Sequence, residues 1–397
     1  MSSTLEILDL VARWIHVIAG IMWVGNSLLF NWLDRSLVPA TMSGQTKKPI
    51  GSIWLLHSGG FYYVEKTLLD GEKLPAPLHW FKWQAYTTWI SGALLLVVVY
   101  YASGRSTLED PGIANLSHGR AVAIGITAIV LGGMIYDIMQ RAAESAPVLA
   151  TAIWIIALTT ISISLTQLLS GRAAFLHVGA MLGTIMAGNV AHTIVPSQHA
   201  LVKSVQEGGR GDPALSDKAK RVSIHNNYFT FPVIALMVSN HFSGIYANRY
   251  SWLLLLIIVA GGVAVRHVLN IRWTFASWKP ALAGSIAATL IAMWATMNVG
   301  SAPVSAASAA VTGPVSFEDA RHIVDGRCAV CHSARPTDLS FGAAPGGVAF
   351  DTRMQIESKA DRIRERAFVT RTMPPANKTG ITDSERAILG AWAASLK

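Results

Sequence analysis

Eight stretches of this chain are long and apolar enough to cross a bilayer, and no other feature narrows the possible fold as far. They run over Leu8–Trp32, Trp83–Tyr101, Ala121–Met139, Val148–Ser170, Ala173–Val195, Phe229–Tyr246, Trp252–Leu269 and Pro280–Val299. The sixth is the least regular, because Asn240 and His241 interrupt it. Only 14% of residues are charged and the mean hydropathy is +0.40, so the blocks are not offset by a large soluble body. The expected fold class is all-α: a polytopic bundle of about eight transmembrane helices, followed by a small soluble domain.

The loops orient the bundle. The first, third, fifth and seventh carry 15 Lys and Arg by position, whereas the opposite loops carry four, Arg105, Arg120, Arg172 and Arg249. The positive-inside rule therefore puts the odd loops in the cytoplasm, and the N-terminus and everything after Val299 outside. It also accounts for the net charge of +9 without a nucleic-acid partner, because the charges lie in short loops between apolar blocks. The first segment lacks a basic start and holds His16 and Asn26, so it reads as a membrane helix and not as a cleavable signal. The long loop from Asp34 to Lys82 contains "IGSIWLL" and "GGFYYV", from which an interfacial or re-entrant helix is expected. A second long loop is expected over Pro196–Tyr228, around "EGGRGDP".

Three domains follow: a membrane part over 1–299, an Ala/Ser/Pro/Gly linker over 300–316, and a compact outer domain over 317–397. The outer domain holds the only two cysteines, in Cys328-Ala-Val-Cys331-His332. Two thiols three residues apart can add to the two vinyl groups of one porphyrin, and the next His can ligate its iron. Met373, in "RTMPP", is the expected second axial ligand. "TDSERAILGAWAASLK" reads as a closing helix capped at Thr382, with Ile388, Leu389 and Trp392 facing inward. This order resembles a class I cytochrome c with one covalent haem c. A thioredoxin-like redox pair would need a βαβ context, and zinc would need two further ligands; neither is apparent.

A single haem c moves one electron and does no substrate chemistry, so the membrane part must feed it, drain it or anchor it. Polar side chains are costly in hydrocarbon and are candidates for function. Topology sorts them into two layers. His16, His177 and His241 lie near the outer ends and are candidate ligands of a membrane haem or metal. Asn26, Asn31, Asp34, His57, Lys82, Asn189, His192, His225, Asn226, Asn227, Arg266 and His267 lie near the inner ends. His177 and His192 share the fifth helix, and ideal geometry puts them roughly 60° apart on about one face. Each such histidine can equally be a hydrogen-bonded packing residue, and tryptophans such as Trp32 and Trp83 suit an interfacial belt.

The strings "RWIHVIAGIMWVGNSLLFNWLD", "HSGGFYYVEK" and "LHWFKWQAYTTWISG", with eight membrane helices and a C-terminal cytochrome c, resemble the bacterial membrane-bound urate hydroxylases (PuuD-type urate oxidases). The resemblance covers nearly the whole chain. It implies oxidation of urate to 5-hydroxyisourate in purine degradation, in the inner membrane. Electrons would leave through haem c to a respiratory acceptor, such as a soluble cytochrome c or a cytochrome oxidase, without release of hydrogen peroxide. Urate is a planar anion, and it calls for cationic or N–H donors and flat surfaces. Asn26, Asp34, Lys82, Trp83, Asn189, His192, His225 and His267 are the candidate urate-binding or catalytic residues. Arg35 and Arg266 are further cations, and Glu65 is a further candidate base. Urate loses two electrons and haem c accepts one, so either a stabilised radical intermediate or a second centre is expected, the latter a haem b or a metal at His16, His177 and, as a further candidate, His241. The alternative is a quinol-to-cytochrome c electron-transfer protein with no hydroxylase activity.

Overall fold

The computed structural model describes residues 3–39, 49–67, 69, 73–102, 105–209, 212–300, 313–338 and 344–396. Helices dominate. α1 spans Ser3–Ser36, α2 Lys82–Leu96, α3 Arg105–Leu108, α4 His118–Ala142, α5 Pro147–Leu168 and α6 Gly171–Asn189. α7 follows over Val195–Gln206, α8 over Pro213–Ser239, α9 over Ser243–Tyr246, α10 over Ser251–Ile271 and α11 over Trp278–Gly300. Among the described residues, seven helical segments are long and apolar enough to cross a membrane.

The sixth expected segment, Phe229–Tyr246, is not a helix of its own. It belongs to α8, which begins 16 residues earlier at Pro213 and ends at Ser239. The polar start "PALSDKAKRVSIHNN" lowers its hydropathy, so composition conceals a helix of about 40 Å. The expected long loop over Pro196–Tyr228 is correspondingly short, because α6 continues through α7 to Gln206.

The segment after α1 holds no helix among its described residues. Antiparallel strands β1 (Pro49–His57) and β2 (Gly60–Thr67) form a hairpin with Trp54 opposite Tyr63 and Leu56 opposite Phe61. β-branched and aromatic residues at alternating positions favour this pairing, and Ser58-Gly59 turns it with positive φ at both residues. The chain is thus mostly helical with one hairpin, and not all-α.

α6 is the centre of the bundle. Of its apolar window 72% is buried inside the protein, against 0–33% for the other six. Ala173, Phe175, Val178, Met181 and Leu182 are fully enclosed, and α4, α5, α8 and α10 supply the surrounding core. Small residues permit the close packing: a Cβ on Gly125 of α4 would lie 2.5 Å from His177 Nε2. Helix directions alternate, giving two ends. One carries Ser36, Lys82, Gln206 and Ile271; the other carries Tyr101, α3, His118, Gly171 and Ser239.

The C-terminal residues pack around their own core of Ala320, Ile323, Val324, Ile356, Leu389 and Trp392. The elements are α12 (Phe317–Arg327), α13 (Arg353–Glu357), α14 (Ala360–Ile363) and α15 (Asp383–Ser395). Thr382 and Glu385 form a capping box that starts α15, and Leu389 and Trp392 are buried with Ile388 packed beside them, as the sequence pattern requires. Most of the linker, residues 301–312, lies outside the described residues.

Candidate functional site

Two polar networks meet on α8, at His225-Asn226-Asn227-Tyr228. On the α4 and α6 side, Asn189 donates to Tyr136 Oη at 2.9 Å and to Asn226 Oδ1 at 2.8 Å. Asn226 donates to the Met186 carbonyl at 3.0 Å. Tyr136 Oη lies 3.0 Å from His225 Nδ1, and Gln140 Nε2 contacts both. The expected residues Asn189 and His225 are thus brought together through Tyr136 and Gln140. Those two were not anticipated, although their spacing of four on α4 puts them on one helical face.

On the α10 side, Asn227 Oδ1 accepts from Arg266 Nε and from Asn270 Nδ2, each at 2.8 Å. The Arg266 guanidinium lies 5.4 Å from the Phe231 ring centroid. Arg266 is 5% exposed, yet among the described residues its Nη2 has no hydrogen-bond partner, and neither has Asn270 Oδ1. A buried unpaired guanidinium nitrogen is costly, and the expected relief is an acceptor from a ligand. Beside it is a pocket of about 270 Å³, lined by Leu28, Asn31, Trp32, Phe231, Arg266, Leu269 and Arg272. Two cations, one amide and two aromatic side chains suit a flat anion smaller than a drug molecule.

The other candidates are dispersed. Asn26 donates to Gln84 Oε1 at 2.6 Å, and Asp34 pairs with Lys66 at 2.6 Å on the exposed rim. Lys82 lies over the Trp80 ring at 5.5 Å, and Trp83 is exposed. His267 is exposed, with Nδ1 2.8 Å from Tyr228 Oη. His192 is also exposed while His177 is fully buried, and His192 lies in a π-helical turn over Val190–Ile194 that adds a residue to the turn.

At the opposite end, His177 Nδ1 faces the Ala173 carbonyl at 2.8 Å and must donate, since a carbonyl only accepts. Its Nε2 then accepts from Tyr101 Oη at 3.0 Å. His16 Nδ1 lies 2.9 Å from the Thr88 carbonyl and 3.2 Å from Ser91 Oγ, while His241 is exposed in the turn after α8. His16 and His177 are engaged with protein partners, and no group of three His, Cys, Asp or Glu suited to a metal occurs among the described residues.

In the C-terminal part, Cys328 and Cys331 are free thiols on the turn after α12. Burial pushes the Cys328 thiol up to about 12, and burial also raises Cys331. This is opposite to the depressed thiol of a redox-active pair. His332 Nδ1 donates to the Val348 carbonyl at 2.9 Å, which fixes the tautomer and leaves the Nε2 lone pair for a metal. The backbone of Met373 is held on both sides, its N–H on the Arg366 carbonyl at 2.9 Å and its carbonyl on Arg386 Nη1 at 2.8 Å. Two thiols, an oriented imidazole and a methionine whose backbone is held are a donor set that fits a covalent haem.

The fold and these networks define a polytopic helical protein of membrane-spanning dimensions, with a cationic pocket at one end of the bundle. Residues 2–297 match the Urate oxidase N-terminal family, and the chain belongs to it. The match covers the helical bundle and ends before the linker. No curated protein and no solved structure matches the chain.

Proposed function

We propose that the protein is a membrane-bound urate hydroxylase that binds urate in the Arg266 pocket and delivers the electrons to a haem c carried by its C-terminal domain. The observation that carries the reading is the buried, unpartnered Arg266 Nη2, which lies beside an aromatic-flanked pocket in a chain of the urate oxidase family. Urate and water give 5-hydroxyisourate, two protons and two electrons. Arg266 and Arg272 balance the charge of the urate anion, Asn31 offers a donor and an acceptor, and Trp32 and Phe231 cover its faces. Among the titratable side chains near this end, His225 accepts at Nδ1 from the Gln140 amide, so its neutral ring carries the hydrogen on Nε2 and offers a donor there.

Cys328 and Cys331 would attach the haem, with His332 and Met373 as its axial ligands. When bound, haem c supplies one-electron acceptance. The basic loops favour a bacterial inner-membrane protein with this domain outside and the Arg266 end toward the cytoplasm. A soluble cytochrome c or a cytochrome oxidase would then take the electrons.

Adding urate anaerobically to the purified full-length protein and recording its visible spectrum tests the reading. Reduction of the haem with formation of 5-hydroxyisourate is expected. An oxidised spectrum that urate leaves unchanged, but a quinol reduces, would replace it with a quinol-to-cytochrome role.

A further inference from the structure

The C-terminal domain meets the bundle at one place that is built, and not merely touching. α3 packs against the short turn Pro375–Asn377, which follows Met373 by two residues. The end of α3 is firmly seated: its last residue, Leu108, is fully buried, and the next, Glu109, is 5% exposed.

This platform is tied to the central helix. Ser170, the N-cap of α6, donates its N–H to the Leu108 carbonyl at 2.9 Å and its hydroxyl to the Thr107 carbonyl at 2.8 Å. Thr107 Oγ1 also donates to the Val99 carbonyl at 2.9 Å. His118 links Glu109 Oε1, 2.7 Å from its Nδ1, to the Tyr101 carbonyl, 2.8 Å from its Nε2.

The facing side is equally fixed. Arg386 is 5% exposed and donates to the carbonyls of Met373 and Ala367 and to Asn377 Oδ1. Asp110 lies within electrostatic reach of this guanidinium. One arginine thereby holds the backbone of the expected iron ligand beside the α3 contact, where Asp110 of the bundle acts on it more weakly than Arg371 and Asp383 of its own domain.

We propose that the Thr107–Asp110 segment is the electron-exit surface of the bundle, and that the C-terminal domain docks on it by its Met373 edge, with Asp110 and Arg386 setting the register. The inference rests on the urate reading for its electron donor. Two electrons from each urate cross this contact one at a time: the single ferric iron is reduced to ferrous, gives its electron to a respiratory one-electron acceptor, and is reduced again, while the two protons stay behind with water or with side chains of the bundle. Asp110 and Arg386 are positioning residues in this scheme.

The test uses the full-length, haem-loaded protein in lipid nanodiscs. Asp110→Asn keeps an acceptor for the Gly112 N–H, which Asp110 Oδ1 holds at 2.9 Å, and removes only the charge. Asp110→Lys sets like charges opposite each other. Stopped-flow reduction of the haem by urate should slow a few-fold in Asp110→Asn and roughly tenfold or more in Asp110→Lys. Reduction by dithionite should match the wild type in both variants. Amide hydrogen exchange over 107–114 and 374–378 should speed up in Asp110→Lys alone. Wild-type urate kinetics together with wild-type protection in Asp110→Lys would overturn the docking. If urate fails to reduce even the wild type, the urate reading falls, and the exchange measurement by itself decides the docking.

Discussion

Asn226 and Asn227 are neighbours on α8 that serve opposite sides of it. Asn226 bonds to Asn189 and Met186 of α6, whereas Asn227 receives Arg266 and Asn270 of α10. Successive helical residues are about 100° apart, so one dipeptide can join two interfaces. α8 is thereby keyed between the central helix and the helix that carries the pocket arginine.

Asn227→Leu removes the acceptor shared by Arg266 and Asn270. A buried hydrogen bond to a charged group is worth about 1.5–3 kcal/mol, so stability in detergent should fall by about that amount. Asn227→Asp keeps the acceptor and should be tolerated far better. Thermal unfolding of the two variants side by side is the measurement, and equal losses would show that the bond to Arg266 is not what Asn227 contributes.

Arg266→Lys retains a cation but loses the forked donor, with Nε on Asn227 and Nη2 left for a ligand. Urate affinity should drop at least tenfold, or about 1.4 kcal/mol, and the melting temperature should fall as well, because the bond to Asn227 is lost with the fork. Arg272→Gln, at the pocket wall, should cost less. Calorimetric titration with urate checks the order, which must reverse if Arg272 is the main anion contact.

Gly125→Ala would place a Cβ 2.5 Å from His177 Nε2 and 3.1 Å from Tyr101 Oη, inside the packed core. Displacing a fully buried ring costs about 1–3 kcal/mol. The expected signature is a lower melting temperature with the C-terminal spectrum unchanged. A neutral result would mean that α4 can move away from α6 without loss.

These residues differ in how legible they were. Cys328, Cys331 and His332 stand out because they lie close together in sequence, and the turn after α12 keeps them together. The capped closing helix is equally local, since Thr382 and Glu385 carry its start. The spans of α1, α4 and α10 follow from apolar length alone. α8 escaped because its first half is polar for a reason that only packing reveals: Asn226 and Asn227 find partners on two other helices. The hairpin escaped because "IGSIWLL" is too short for periodicity to separate strand from helix. Arg266 was visible as a buried cation among a dozen polar residues, but its unpartnered nitrogen is a property of three dimensions. The π-helical turn at Val190–Ile194 leaves no mark in composition at all.

Met373→Ala should leave the haem covalently attached through Cys328 and Cys331 but remove a strong-field axial ligand. The expected outcome is loss of the methionine–iron absorption band and a lower reduction potential, with haem content per protein unchanged. His332→Ala should instead lower haem content itself, since the Val348 carbonyl orients this imidazole toward the attachment turn. Spectra and potentiometry on the two variants separate attachment from ligation. An unchanged band in Met373→Ala would assign the sixth ligand elsewhere.

The pH response of the C-terminal domain follows from three carboxylates. A hydrogen bond from the Ser316 hydroxyl and one from its N–H hold Asp319 below its ordinary value of 3.8. The Ser333 hydroxyl and the Ala334 N–H hold Asp351 below the same value, against a small opposing effect of burial. For Glu385, burial pushes upward, but the Thr382 N–H and the Arg327 guanidinium bring it below 4.5. Each group is therefore more acidic folded than unfolded. Its stabilisation is present in full above the unfolded value and is lost as pH falls through the lower folded value. Stability of this domain should be level from neutral pH down to about 4.5 and decline below it, with α12 and α15 losing their capping boxes together. Acid titration followed by the haem absorbance and by far-ultraviolet circular dichroism checks this. Asp319→Asn and Glu385→Gln should each flatten the decline, whereas a decline beginning near pH 6 would assign it to a histidine instead.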